Sequence, residues 1–278
     1  MTTSETKSKM LSGVTETLLV TLYLRAMESQ RPDALIKDEK AVELVNKMNY
    51  DFNRIKLLHL SEENKTVIIL RNREFDRYAL DFLARHPDAV VVHIGCGLDS
   101  RFERVAERNG QVEWYDLDLP EVIELRRNLL GGEKEHYHLL ACSVLDDIWL
   151  NAVSAQRGRP FLFLAEGVSM YLKEAQVKSL VTMIHKNFPG AELVFDAYSP
   201  IHVWRSNLQT STFGFRCYWG VWHGEELEKW ADGIRLLDEW GYFDQPEPRL
   251  AYMQWFRLIE SLFRTLRIYH FQLGKAGG

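Results

Sequence analysis

Cysteine is scarce. The 278 residues hold three, Cys96, Cys142 and Cys217. An odd number without paired spacing excludes a disulfide framework, and the absence of any Cys-x-x-Cys removes the usual zinc and redox motifs. No apolar run approaches the ~18 residues needed to span a bilayer. Met1 to Met10 is polar and has no apolar stretch, so it does not read as a signal peptide, and the cytoplasm is the expected compartment. A basic excess is also missing. With 34 Lys and Arg against 39 Asp and Glu, the formal net charge is -5. That argues against nucleic acid or a membrane surface as a partner held mainly through phosphates. No internal repeat and no linker rich in Gly, Pro or Ser divides the chain, which reads as one compact domain.

What is present is an ordinary globular composition, 46% hydrophobic, with a change of texture at Pro87. Before it the signals are helical. Val14, Leu18, Leu22 and Ala26 recur every fourth residue, a buried helix face. Asp38 is placed to cap a short helix through Met48, and a longer one is expected over Asn64 to Arg85. After Pro87, strand and helix signals alternate. Ala89 to Ile94 is apolar without alternation, the pattern of a strand buried on both faces. Further strands are expected at Val112 to Asp118, Tyr137 to Ala141, Phe161 to Ala165 and Leu193 to Asp196. The helices between them fall at Arg101 to Arg108, Pro120 to Leu130, Asp147 to Gln156 and Lys173 to Asn187. Five β-α units in series predict a parallel sheet. Strands near Ile234 to Phe243 and Phe263 to Leu273, around a helix at Met253 to Ser261, bring the count to seven. The organisation expected is a tail and helical cap over 1–86, then an α/β core over 87–278 with an aromatic-rich insertion at 198–230. That insertion holds Trp204, Phe213, Phe215, Tyr218, Trp219, Trp222 and Trp230. It reads either as satellite core under a long loop or as a lid over a flat apolar substrate.

Open α/β sheets bind ligands at the carboxyl ends of their strands. The first strand is followed by Gly95-Cys96-Gly97-Leu98-Asp99-Ser100. Ser100 stands where the dinucleotide fingerprint has its third glycine. A pyrophosphate needs that tight start, whereas S-adenosylmethionine has no phosphate, so the loop favours the methyl donor over NAD. Asp118, just before Leu119-Pro120 and about 20 residues past the glycines, is placed to grip a ribose diol and is preferred to Asp116; the competing reading is a helix cap. Ser143, Val144, Leu145 and Asp146 follow the third strand and are expected to wall an adenine, with Asp146 accepting from its amino group. Glu166 closes the fourth strand and needs a cationic partner there, which a ligand ammonium would supply. Arg71 would grip the ligand's carboxylate; by position alone it reads as a surface salt bridge. His93 reads as a core histidine and Cys96 as a small tolerated residue. His185, His202 and His223 lack ligand spacing, and no metal is implied.

These residues together resemble the leucine carboxyl methyltransferase superfamily. The resemblance rests on Arg71-x-x-x-Phe75-Asp76, the loop Gly95 to Phe102, Asp118-Leu119-Pro120, and Ala165-Glu166-Gly167 with Met170-Tyr171-Leu172. Leu11 to Thr17 and Ser143 to Trp149 fit its bacterial branch, typified by the tetracenomycin polyketide carboxyl O-methyltransferase. The resemblance implies a class I, Rossmann-like methyltransferase fold: a seven-stranded, mostly parallel sheet with an N-terminal helical cap. It implies that Arg71, Gly95, Asp118, Ser143, Val144 and Glu166 line the donor site. Thr17 or a neighbour stands where the leucine methyltransferases have a lysine, which favours a small molecule over a protein tail. The expected activity is O-methylation of a small, aromatic or polyketide carboxylate, with Tyr171 and Tyr198 orienting the acceptor. A phenol or alcohol O-methyltransferase and a non-catalytic nucleotide-binding module are the alternatives.

Overall fold

A strand that is apolar on both faces must sit inside a covered sheet. Val90–Ile94 does so. It forms β1, buried at all five residues, between β2 (Glu113–Asp118) and β4 (Phe161–Ala165). The computed structural model describes residues 17–56, 60–107, 109–209, 216–259 and 264–275. Among them one seven-stranded sheet runs in the order β3-β2-β1-β4-β5-β7-β6. Its remaining strands are β3 (Tyr137–Ala141), β5 (Ala191–Tyr198), β6 (Ile234–Gly241) and β7 (Leu266–Leu273). The first five run parallel, and β7 enters antiparallel between β5 and β6. This is the class I methyltransferase sheet.

The helices are residues 17–29 (α1), Glu39–Lys47 (α2), Asn53–Lys56 (α3), Glu62–Arg85 (α4), Arg101–Val105 (α5), Pro120–Leu130 (α6), Ile148–Ser154 (α7), Glu174–Asn187 (α8) and Pro200–Gln209 (α9). Asp38 caps α2 by accepting from the Ala41 amide, and Ser61 caps α4 by accepting from that of Asn64. Period-2 alternation sorts the strand side chains to two faces. Val92, Ile94, Phe163 and Phe195 pack against Trp149 of α7 and Val177, Val181 and Ile184 of α8. Val91, Leu162, Leu164 and Val194 pack against Leu70, Phe75, Tyr78 and Phe82 of α4, Phe102 of α5 and Ile123 of α6. Each such fully buried side chain contributes about 1.5–3 kcal/mol.

Several boundaries differ from those expected. α4 shares the core of the sheet, so no boundary between cores falls at Pro87, and most of 17–56 packs in separate clusters. Leu19, Leu22, Ala41 and Leu44 of that cap pack on Leu98, after β1, and on Leu130, at the end of α6. α5 stops at Val105, short of the expected Arg108, with Ala106 leaving helical backbone. β5 extends two residues further at each end than expected because β7 pairs with it from Ala191 to Tyr198. The helix expected at 253–261 is a run of 3-10 turns over Pro248–Leu258. No helix among the described residues is long and apolar enough to cross a membrane. Val14, the segment 11–16, Phe213 and Phe215 lie outside the described residues.

Candidate active site

The strand order reverses between β1 and β4, and the crevice outside their carboxyl ends is where such sheets take ligands. Two glycines line it. Gly95 and Gly97 have φ of 66° and 51°, a region closed to most side chains. A Cβ on Gly95 would strike Val168, and one on Gly97 would lie 2.6 Å from Leu18 Cδ2 of α1. Cys96 between them packs into the core with Phe102 and Trp114. Burial pushes its thiol up, so it is inert packing.

Asp118 ends β2. Its Oδ2 accepts from the Gly97 amide at 2.8 Å and its Oδ1 from the Leu119 amide at 2.7 Å. Burial pushes the carboxyl up, and those two bonds are the main offset. A carboxylate has about four lone-pair sites, so two remain for a neutral diol. Asp116 is different. It lies inside the sheet, where it takes Arg126, the Tyr137 hydroxyl and the Trp114 indole. Burial opposes its charge, yet Arg126 and His93 hold it at about 2. His93 lies buried between Asp116 and Arg101.

Beyond β3, Ser143 Oγ accepts from the Leu145 amide, and the Val144 carbonyl accepts from Trp149 Nε1. Leu145 and Leu119 follow neighbouring strands, and both expose apolar surface. Asp146 is exposed beside them. Leu119, Val144 and Leu145 thus supply apolar surface at the carboxyl ends of β2 and β3, with Asp146 exposed next in the chain.

Glu166 directly follows β4 and already has cations. It accepts from Arg71 Nε at 2.9 Å, Arg101 Nη2 at 2.6 Å and the Asn72 amide. The partner role that the sequence reading gave to a ligand ammonium is therefore filled by two arginines. They hold the Glu166 carboxyl low against the opposing effect of burial. Nor is Arg71 a surface pair. Its side chain is largely buried, and Nη1 also binds Asp196 Oδ2 at 3.1 Å. Nη2 carries neither bond and points toward Gly167.

The pair belongs to a larger cluster. Arg101 binds Asp76 and Asp99, Arg104 binds Asp38, Asp76 and Asp99, and Arg25 binds Asp38. Arg25, Arg71, Arg101 and Arg104 face Asp38, Asp76, Asp99, Glu166 and Asp196: four cations, five anions. With Asp196 ionised, the floor of the crevice carries one negative charge. Burial pushes the Asp196 carboxyl up, partly offset by Arg71. Sequence reasoning missed Asp196, Arg101 and Arg104. The available signal was Asp99, Arg101 and Arg104 within one turn of the glycine loop.

On the far side of the crevice stand Tyr171, on the 3-10 turn Ser169–Tyr171, and Tyr198, the last residue of β5. α9 follows with Ile201, Trp204 and Leu208 exposed along one face; Trp204 is 65% exposed. The Asn207 amide clamps this helix by bonding both the Cys217 carbonyl and amide, at 2.7 and 2.9 Å. Trp219 is instead buried and stacks on Phe195 and Trp230, while Trp222 is half-buried. The aromatic segment thus packs into the main core of the sheet at Trp219 and Trp230 and is open surface at Trp204. Trp204→Ala is expected to raise the acceptor's KM about tenfold, roughly 1.4 kcal/mol, with the melting temperature unmoved. Trp219→Ala is expected to do the reverse, costing about 3–5 kcal/mol of stability. Steady-state kinetics beside thermal melts separates the two; an unchanged KM in the Trp204 variant removes α9 from the acceptor site.

The leucine carboxyl methyltransferase family profile matches residues 18–185. The chain is 38% identical over 242 residues to the tetracenomycin polyketide synthesis O-methyltransferase TcmP of Streptomyces glaucescens, covering 85% of this chain and 86% of that protein. It is 30% identical over 244 residues to the S-adenosyl-L-methionine-dependent methyltransferase dpfgK of Gibberella zeae, covering 82% of each. A solved putative methyltransferase from Thermobifida fusca YX shares the fold, with a TM-score of 0.57 at 16% identity over 90% of this chain and 94% of that one.

Proposed function

The chain belongs to the leucine carboxyl methyltransferase family, and from that premise we propose that it moves the methyl group of S-adenosylmethionine onto a carboxylate of a small aromatic metabolite. The crevice suits such a donor. Asp118 has two acceptor sites left for a ribose diol and no need of a cation in the ligand. Leu119, Val144 and Leu145 offer the wall for an adenine, and Asp146 an acceptor for its amino group. Gly95 and Gly97 keep the backbone bare, and Arg71 Nη2 is the edge available to a carboxylate. With Asp196 ionised, the cluster's excess carboxylate favours a ligand of net positive charge, which the sulfonium form has and its demethylated product lacks. When bound, the donor supplies a methyl carbon made electrophilic by sulfonium sulfur.

The observation that carries the carboxylate reading is how the acids beside the acceptor are engaged. Glu166 is held by Arg71, Asn72 and Arg101, and Asp196 by Arg71 and the Gly167 amide. Neither is placed to take a proton from an incoming hydroxyl. Tyr171 and Tyr198 are hydrogen-bond donors at neutral pH. A phenol, with a pKa of about 10, needs a base, whereas a carboxylate, with a pKa of about 4, arrives ionised. It needs only to be held about 3–3.5 Å from the methyl carbon. kcat is therefore expected to stay nearly flat from about pH 6 to 9, and the product to be an ester cleaved by mild alkali. A rate that climbs tenfold per pH unit, with a product stable to alkali, replaces this reading by phenol methylation.

A further inference from the structure

We infer that His202 is the residue that grips the acceptor's carboxylate, donating a ring N–H to one carboxylate oxygen while the other faces the methyl donor. The inference rests on the carboxylate reading above. β5 ends at Tyr198, and α9 starts two residues on. The His202 amide is tied to Ser199 Oγ, and its ring lies against that of Tyr198, centroids 4.4 Å apart and tilted by 46°. This puts the imidazole at the carboxyl end of β5, beside the crevice. Among the described residues, neither ring nitrogen and no hydroxyl of Tyr198 has a hydrogen-bond partner. Neither group is among the fully buried polar atoms without a partner, so both reach solvent and are open to a molecule from outside. Ile201, next to His202 in the chain, is exposed and offers apolar surface for the aromatic body of the same molecule. The Asn207 clamp and the tight seat of Gly220 against the Tyr198 carbonyl hold this arrangement in place.

The electrostatics suit a donor and not a base. Burial, then the charge of Arg205 on the same helix, lowers the imidazole to about 4. Tyr198 faces it from β5, and Tyr171 and Cys217 lie beyond Tyr198. The ring is therefore neutral at pH 7, with one N–H to give. A neutral donor orients a carboxylate without cancelling the charge that makes its oxygen nucleophilic. The same ring is about a million-fold too weak, in equilibrium terms, to strip a phenol of pKa near 10. In the transfer, an acceptor lone pair forms the O–C bond, the C–S pair leaves with sulfur, and no proton moves.

The test is calorimetric titration of 2-naphthoate into protein saturated with S-adenosylhomocysteine, with 2-naphthol alongside. His202→Phe keeps the ring packing and loses the N–H; His202→Gln keeps a donor. We expect His202→Phe to weaken 2-naphthoate about 10- to 100-fold, the worth of a hydrogen bond to a charged group. His202→Gln should stay within a few fold of the parent, and both variants should keep the parent affinity for S-adenosylhomocysteine and its melting temperature. Parent-like binding by His202→Phe overturns the inference, as does failure of His202→Gln to restore binding or a loss of nucleoside affinity in either variant. Equal affinity of the parent protein for 2-naphthol, or no binding of 2-naphthoate at all, overturns the carboxylate reading instead.

Discussion

Arg101→Met is expected to lower the melting temperature by roughly 10 °C, the consequence of about 3–5 kcal/mol in a domain of this size. Arg101 is fully buried, with Asp76 on Nε at 2.7 Å and Glu166 and Asp99 on Nη2 at 2.6 and 3.2 Å. Methionine fills much of the volume and carries no charge. Three carboxylates then lose a shared cation in a place where water cannot replace it. Leaving buried charge uncompensated is the costly operation; the intact pair contributes far less. The comparison is Arg127→Met. Arg127 makes an exposed pair with Glu133 at 2.6 Å, and such solvent-screened pairs contribute little to stability. If melts show the two variants equally stable, the buried cluster is not holding the loop after β1 in place.

Asp118→Ala is expected to weaken S-adenosylmethionine binding about 100-fold or more. Two charge-assisted bonds to a diol are lost, each worth ~1.5–3 kcal/mol. The variant also releases the Gly97 amide. Asp118→Asn is therefore the control, since its carbonyl can still accept from Gly97 while the charge is gone. Calorimetry should place Asp118→Asn between the parent and the alanine variant. Parent-like affinity in both moves the ribose contact away from the end of β2.

The sheet was readable because its strands announce themselves. β1 and β4 are apolar without alternation, the mark of burial on both faces, and β3, β4 and α6 begin and end where propensity and proline place them. Asp118 could be separated from Asp116 because it stands last before Leu119-Pro120, at the carboxyl end of the strand and at the right distance from the glycines. The place of β7 between β5 and β6 was not readable, because pairing order depends on contacts between segments far apart in the chain. The arginine cluster was hidden for another reason. Arg71, Arg101 and Arg104 sit in charged stretches that look like solvated helix faces, and only the folded sheet shows that Asp76, Asp99 and Glu166 meet them. His202 left a faint trace, an aromatic pair four residues apart across a strand-to-helix turn.

The cluster has a consequence for how the chain comes off the ribosome. Its bonds join residues as close as Asp99 with Arg101 and as far as 125 apart, Arg71 with Asp196. At about 5–20 residues per second, Arg71 waits roughly 6–25 s for Asp196 to be made. During most of that interval, until Glu166 is made 95 residues on, the Arg71 guanidinium has neither of its two final partners. The N-terminal helices therefore cannot mature as a unit ahead of the sheet. A chain started at Pro87 would lack Arg25, Asp38, Arg71 and Asp76, and Glu166 would keep only Arg101. Synthesis of β5 supplies the last member of the cluster, Asp196.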